Sequence, residues 1–123
     1  MLATLAALVV AVTGAATPVK VTLTGLTHTP KVKVRNYYTV RATVGGKPAA
    51  ARLTEVMIDP IGGKHPITYG TTPKPITNLR FTGSFRDFLT FPGSGRGVPL
   101  TFRITVVVGK TKRTIDFKVT PRA

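Results

Sequence analysis

From Leu100 to Val108 every second residue is apolar: Leu100, Phe102, Ile104, Val106 and Val108, with Thr101, Arg103 and Thr105 between them. A helix would scatter these side chains around its circumference, whereas a strand sets them all on one face. The chain then reverses at Gly109-Lys110-Thr111, and Ile115, Phe117 and Val119 alternate with Thr114, Asp116 and Lys118. Two alternating runs joined by a glycine-containing turn predict a β-hairpin. The same period of two runs through Val19 to Leu23. It recurs from Asn36 to Val44, where Tyr38, Val40, Ala42 and Val44 share a face and Gly45-Gly46-Lys47-Pro48 provides the turn. No segment after residue 16 repeats at the helical period.

The middle of the chain is less regular. Arg52 to Asp59 is apolar in both registers. One register buries Leu53 and Met57 together with Glu55, and the other buries Thr54, Val56 and Ile58. The second is expected, because an unpartnered buried carboxylate is costly. With apolar side chains in both registers, this segment also reads as the best edge strand for pairing with another chain. Ile61 to Pro75 is punctuated by glycine and proline and predicts a loop with a short edge strand around Pro66 to Tyr69. Asn78 to Phe91 carries Leu79, Phe81, Phe85, Leu89 and Phe91 on one register, with Asp87 among them, so a break or bulge is expected between Gly83 and Asp87. Asp87 itself is expected to accept backbone amides at that break. Taken together the segments predict an all-β chain folded as an antiparallel two-sheet β-sandwich of about seven strands.

The N-terminus carries a different signal. Leu2 to Val12 is an apolar run followed by Thr13-Gly14-Ala15-Ala16 and then, after Thr17, a proline. It is too short to span a bilayer and matches the apolar region and small-residue cleavage site of a secretory signal, although no Lys or Arg precedes it. Residues 1–15 are therefore read as a signal peptide and residues 16–123 as one domain. The expected location is secreted, or at the cell surface or periplasm, with membrane contact through the signal alone. The absence of cysteine excludes disulfides, thiolate metal sites and cysteine nucleophiles.

Charge is the second constraint. Eighteen Lys and Arg stand against Glu55, Asp59, Asp87 and Asp116, for a formal charge of +14. Such a surface attracts polyanions with a strength that falls as salt rises. Lys110, Lys112 and Arg113 concentrate at the last hairpin, and Lys31, Lys33 and Arg35 precede the second long strand. These six are the candidate polyanion-binding residues. Tyr37 is the main aromatic on an outward register, too little interleaving for sequence-specific nucleic-acid binding and fewer than the two or three rings a sugar-binding face needs. Catalytic chemistry is thinly supplied. His28 and His65 stand far apart, each beside a proline-containing loop, and no nucleophile elbow or metal-ligand spacing accompanies them. Gly93 to Gly97 could offer amides to phosphate, but no helix follows it. The chain is accordingly read as non-enzymatic, without cofactor or metal.

The run Phe85-Arg86-Asp87-Phe88-Leu89-Thr90-Phe91-Pro92, a Gly-rich loop, Val98-Pro99-Leu100-Thr101-Phe102-Arg103 and a closing hairpin resemble small secreted immunoglobulin-like or fibronectin type III-like domains of actinobacteria. So does Pro30 to Val44, where a short basic spacer leads into a tyrosine-containing strand. The resemblance implies an immunoglobulin-like topology and carries no functional residues. Antibody-type domains have a cysteine pair and a core tryptophan, both absent from this chain. The expected role is an exported binding or structural module that contacts anionic envelope polymer. The alternative is a module that docks on an unidentified surface protein by edge-strand pairing.

Overall fold

The computed structural model describes residues 18–123, and the expected signal segment, residues 1–15, lies outside them. Nine strands build two antiparallel sheets. The first has β2 (Asn36–Val44) at its centre, with β1 (Val19–Thr24) along one side. Along the other side lie β7 (Ser84–Leu89) and the two-residue β3 (Lys47–Pro48). The second is organised on β4 (Ala50–Ile58). One side of β4 pairs with β8 (Leu100–Val108), which in turn pairs with β9 (Thr111–Val119). The other side is shared by β6 (Leu79–Thr82) and β5 (Lys64–Pro66).

The alternation predicts the core. Tyr38, Val40 and Ala42 on β2 and Phe85 and Leu89 on β7 face Leu53 and Met57 on β4 and Phe102, Ile104 and Val106 on β8. The Tyr38 ring meets Phe102 edge-on, with centroids 5.2 Å apart at 74°. Each fully buried large side chain contributes about 1.5–3 kcal/mol relative to exposure, less whatever the unfolded chain already hides. Both layers therefore depend on the period-two pattern.

Three expectations are corrected. β4 uses the register that the buried carboxylate seemed to forbid: Leu53, Glu55 and Met57 are buried while Thr54, Val56 and Ile58 are half-buried. The reason is a partner from the opposite sheet. The Tyr38 hydroxyl crosses the gap and donates to Glu55 Oε1 at 2.5 Å, which lets the larger Leu53 and Met57 take the core. Next, β4 is not an edge strand, because it is paired on both sides. Finally, nine strands replace about seven. The expected break falls at Gly83, where the chain leaves the second sheet as β6 and enters the first as β7. Gly83 has φ 77°, and a Cβ there would lie 2.9 Å from Pro48 Cβ, so the corner requires glycine.

Between β5 and β6 the side of β4 is completed by loop backbone. The Glu55 amide donates to Ile76 O, the Ile67 amide donates to Glu55 O, and the Ile76 amide donates to Ile67 O. Asp87 pins the same loop, accepting the Gly70 amide at 3.2 Å on both oxygens. Its expected role as an acceptor of backbone amides is what the geometry gives.

Candidate anion-binding surface

The arrangement of the four acids decides what the basic surface can do. Glu55 and Asp87 are buried between the sheets. Burial pushes the Glu55 carboxyl up to about 8; the hydrogen bond from Tyr38 opposes that rise and the charge of Asp87 adds to it. Burial, followed by the nearby Glu55 charge, drives the Tyr38 hydroxyl far above its ordinary value. Asp59 closes the β4–β5 turn. Its Oδ1 accepts the amides of Ile61 at 3.0 Å and Gly63 at 2.8 Å, and its Oδ2 lies 2.8 Å from His65 Nε2. The bond to His65, then those from the turn amides, hold its pKa below the usual carboxylate range. Asp116 takes both Nε and Nη2 of Arg103, at 2.7 and 2.9 Å, and this fork lowers its pKa. Among the described residues, Arg103 is thus the one Lys or Arg of eighteen in a salt bridge with an Asp or Glu side chain.

The six expected binding residues do not converge. Lys110 lies in the β8–β9 turn and Lys112 and Arg113 begin β9, at the end of the sandwich where β4 starts. Lys31, Lys33 and Arg35 precede β2 at the opposite end, where Lys31 bridges to Arg122 beyond the end of β9. The length of β8, about 27 Å at roughly 3.4 Å per residue, separates the two groups. The hairpin group is itself divided. Lys112 opposes Val107 on the outer face, while Arg113 opposes the buried Val106 on the inner register.

What the fold brings to Lys112 instead is a pair of arginines from strands far apart in sequence. Arg80 on β6 is directly opposite Arg52 on β4, Arg52 is opposite Val107, and Val107 is opposite Lys112. These four residues form one row across the outer face, with three cations and no acid. Thr82 and Ala50 lie opposite each other one pair along, and Gly109 follows Val108 there. These small residues floor a shallow recess of about 470 Å³ bordered by Arg52, Arg80 and Val107. Like charges set directly opposite each other repel, so the row is a local concentration of positive potential on this face. Sequence reading missed Arg52 and Arg80 because the expected register of β4, with Thr54, Val56 and Ile58 inward, turned Arg52 away from the face it shares with its neighbours. Strand parity was the available signal, since Arg52 and Thr54 oppose Leu53 in orientation.

At the other end the basic residues are held by local structure. Lys33 adopts φ 64°, and its stem lies against Gly93, where a Cβ would sit 2.9 Å from Lys33 Cε. Lys31, Lys33 and Arg96 line a recess that ends at Ala123. Arg35 turns away from this recess, and its guanidinium carbon lies 4.5 Å from the centre of the Phe88 ring.

The two histidines occupy opposite margins of the second sheet. His28 stacks on Phe117 at 4.3 Å with Nδ1 2.6 Å from the Lys118 carbonyl, whereas His65 sits on β5 against Asp59. Each is engaged in holding a loop. Among the described residues no three His, Cys, Asp or Glu gather as metal ligands, and no helix is long and apolar enough to cross a membrane. Comparison with protein-family models, with curated proteins and with solved structures finds no match to this chain.

Proposed function

We propose that this chain is an exported, non-enzymatic β-sandwich module of immunoglobulin-like type that attaches to anionic polymer of the cell envelope through its basic surface. The observation that carries this reading is the engagement of its acids. Two are buried, one is tied into a turn and one is forked by Arg103. Apart from Lys118, whose charge also acts on Asp116, the remaining Lys and Arg form no salt bridge with an acidic side chain among the described residues, so their field is directed outward. The apolar leader at Leu2 to Val12 supports export, which is where such polymers occur. The strand order supports the immunoglobulin-like reading. With the strands of such a sandwich lettered A to G, β1, β2 and β7 take the places of A, B and E in one sheet, and β4, β8 and β9 those of C, F and G in the other.

Binding of this kind is multivalent and releases counterions, so affinity falls linearly on a plot of log K against log salt. The expected result is that the full chain binds immobilised polyphosphate at about 50 mM NaCl and elutes well below about 500 mM, where the screening length shrinks to a few ångströms. Reversing the row with R52E/R80E/K112E lowers the elution salt. Retention that is unchanged across that salt range, or unchanged by the reversal, overturns the reading.

A further inference from the structure

Two arginines on the outer face of the first sheet are held unlike any other cation of the chain. The Arg35 guanidinium carbon lies 4.5 Å from the Phe88 ring centre, and that of Arg86 lies 4.4 Å from the Tyr37 ring centre. Tyr37 and Phe88 are directly opposite on β2 and β7, with ring centroids 5.6 Å apart. Arg35, Phe88, Tyr37 and Arg86 therefore form a continuous ladder in which two adjacent rings are flanked by a guanidinium at each end. Stacking occupies the flat face of a guanidinium and none of its five N–H donors. Among the described residues the arginines whose side chains donate hydrogen bonds within the chain are Arg103, Arg113 and Arg122, so the donor edges of Arg35 and Arg86 are uncommitted. The acid of these two strands, Asp87, belongs to the opposite register, and its carboxylate is buried against the Gly70 amide.

Such a ladder does little for stability, since exposed cation–π contacts contribute only about 0.5–1 kcal/mol. What it supplies is orientation. A free arginine side chain surrenders about 2 kcal/mol of rotamer freedom when it is immobilised by a ligand, and here the rings have already confined two of them. The same face sets Thr39 opposite Arg86 and Ser84 opposite Arg41, adding neutral hydroxyl donors beside the Arg86 fork.

We propose that this ladder is a recognition site for phosphate groups linked along a polymer. The proposal rests on the polyanion reading and narrows it. A guanidinium fork matches two oxygens of a phosphate. The hydroxyls of Thr39 and Ser84 can then donate to the lone pairs that the Arg86 fork leaves open, which a tetrahedral phosphate directs out of the plane of the fork and a planar carboxylate keeps within it. Two forks separated by a spacer of two rings suit successive charges on one chain rather than a single small anion. The weakly hydrated guanidinium also loses less on leaving water than an ammonium would.

The test keeps net charge constant. The full-length R35K/R86K variant retains every positive charge but loses both forks, and Y37T/F88V retains both arginines but loses the rings that hold them. Binding of each to polyphosphate and to poly-L-glutamate is measured at equal salt, with thermal melts to establish folding. The expected outcome is a loss of about ten-fold in polyphosphate affinity for both variants, with poly-L-glutamate affinity changed by less than about two-fold. If R35K/R86K is folded and binds polyphosphate as the parent does, the ladder is not a recognition site, although the polyanion reading survives. If both variants lose affinity for the two polymers equally, the preference for phosphate over carboxylate is overturned. If the parent binds neither polymer, this proposal and the general reading fail together.

Discussion

Glu55 occupies a position that ordinarily excludes a carboxyl group, lying between two sheets with Oε1 on the Tyr38 hydroxyl and Oε2 without a partner among the described residues. Its pKa rises from 4.5 to about 8 because burial penalises the charged form. The sign of the consequence follows from linkage. The folded state holds this proton more tightly than the unfolded state, so the contribution to stability is fully present below about pH 4.5 and is lost as pH rises toward about 8. At about 1.4 kcal/mol for each pH unit between the two values, the loss amounts to a few kcal/mol. Glu55→Gln cannot ionise and is expected to flatten the profile. Urea midpoints at pH 5 and pH 8.5 should differ clearly in the parent and little in the variant. Equal pH dependence in both would show that Glu55 ionises freely in the fold. The legibility of this residue was poor for a definite reason. Its partner Tyr38 comes from the other sheet, and the local rule against buried carboxylates holds only when no such partner exists.

At the scale of strands, β4 shows how one register choice redistributes chemistry over a whole face. With Leu53 and Met57 inward, Arg52 points outward beside Arg80 and in line with Lys112. Replacing Arg80 with threonine removes the repulsion across β4 and β6 and places a β-branched residue on the strand. The substitution is expected to raise stability by about 0.2–1 kcal/mol at low salt while weakening attachment to anionic polymer. Denaturant melts paired with polymer elution would check it, and a loss of stability would show that Arg80 is held by contacts within the chain. The corner at Gly83 is a second element-scale feature. Gly83→Ala must accommodate both φ 77° and a Cβ 2.9 Å from Pro48. It is expected to cost about 1–3 kcal/mol, read as a lower urea midpoint with the slope unchanged. The break near Gly83 was legible as a glycine in an apolar register. That the break carries the chain from one sheet to the other was not, because a corner and a bulge look alike in one dimension.

For the molecule as a whole, the dominant quantity is the charge of +14 spread over a sandwich that buries two of its four acids and engages the other two, Asp59 and Asp116, at the surface. Self-repulsion of this kind destabilises the folded state and is relieved by screening. The melting temperature is therefore expected to rise between about 10 and about 150 mM NaCl, the reverse of what salt does to a fold held by surface ion pairs. A melting temperature that falls over this range would mean that attractive pairs outweigh the repulsion. Salt thus strengthens the fold while weakening its attachment to polymer.

The alternation of side chains determined without help that residues 18–123 form an all-β domain, where β2, β8 and β9 run, and which of their faces meet in the core. Period-two burial is a property of single strands, so a single dimension suffices to read it. The total charge was equally explicit. Tertiary structure decided everything that depends on juxtaposition between strands: the Tyr38 bond that admits Glu55 to the interior, the row joining Arg80, Arg52 and Lys112, and the rings of Tyr37 and Phe88 beneath two arginines. Each of these needs residues distant along the chain to share a register, and register is fixed by how well whole faces pack together rather than by any local preference.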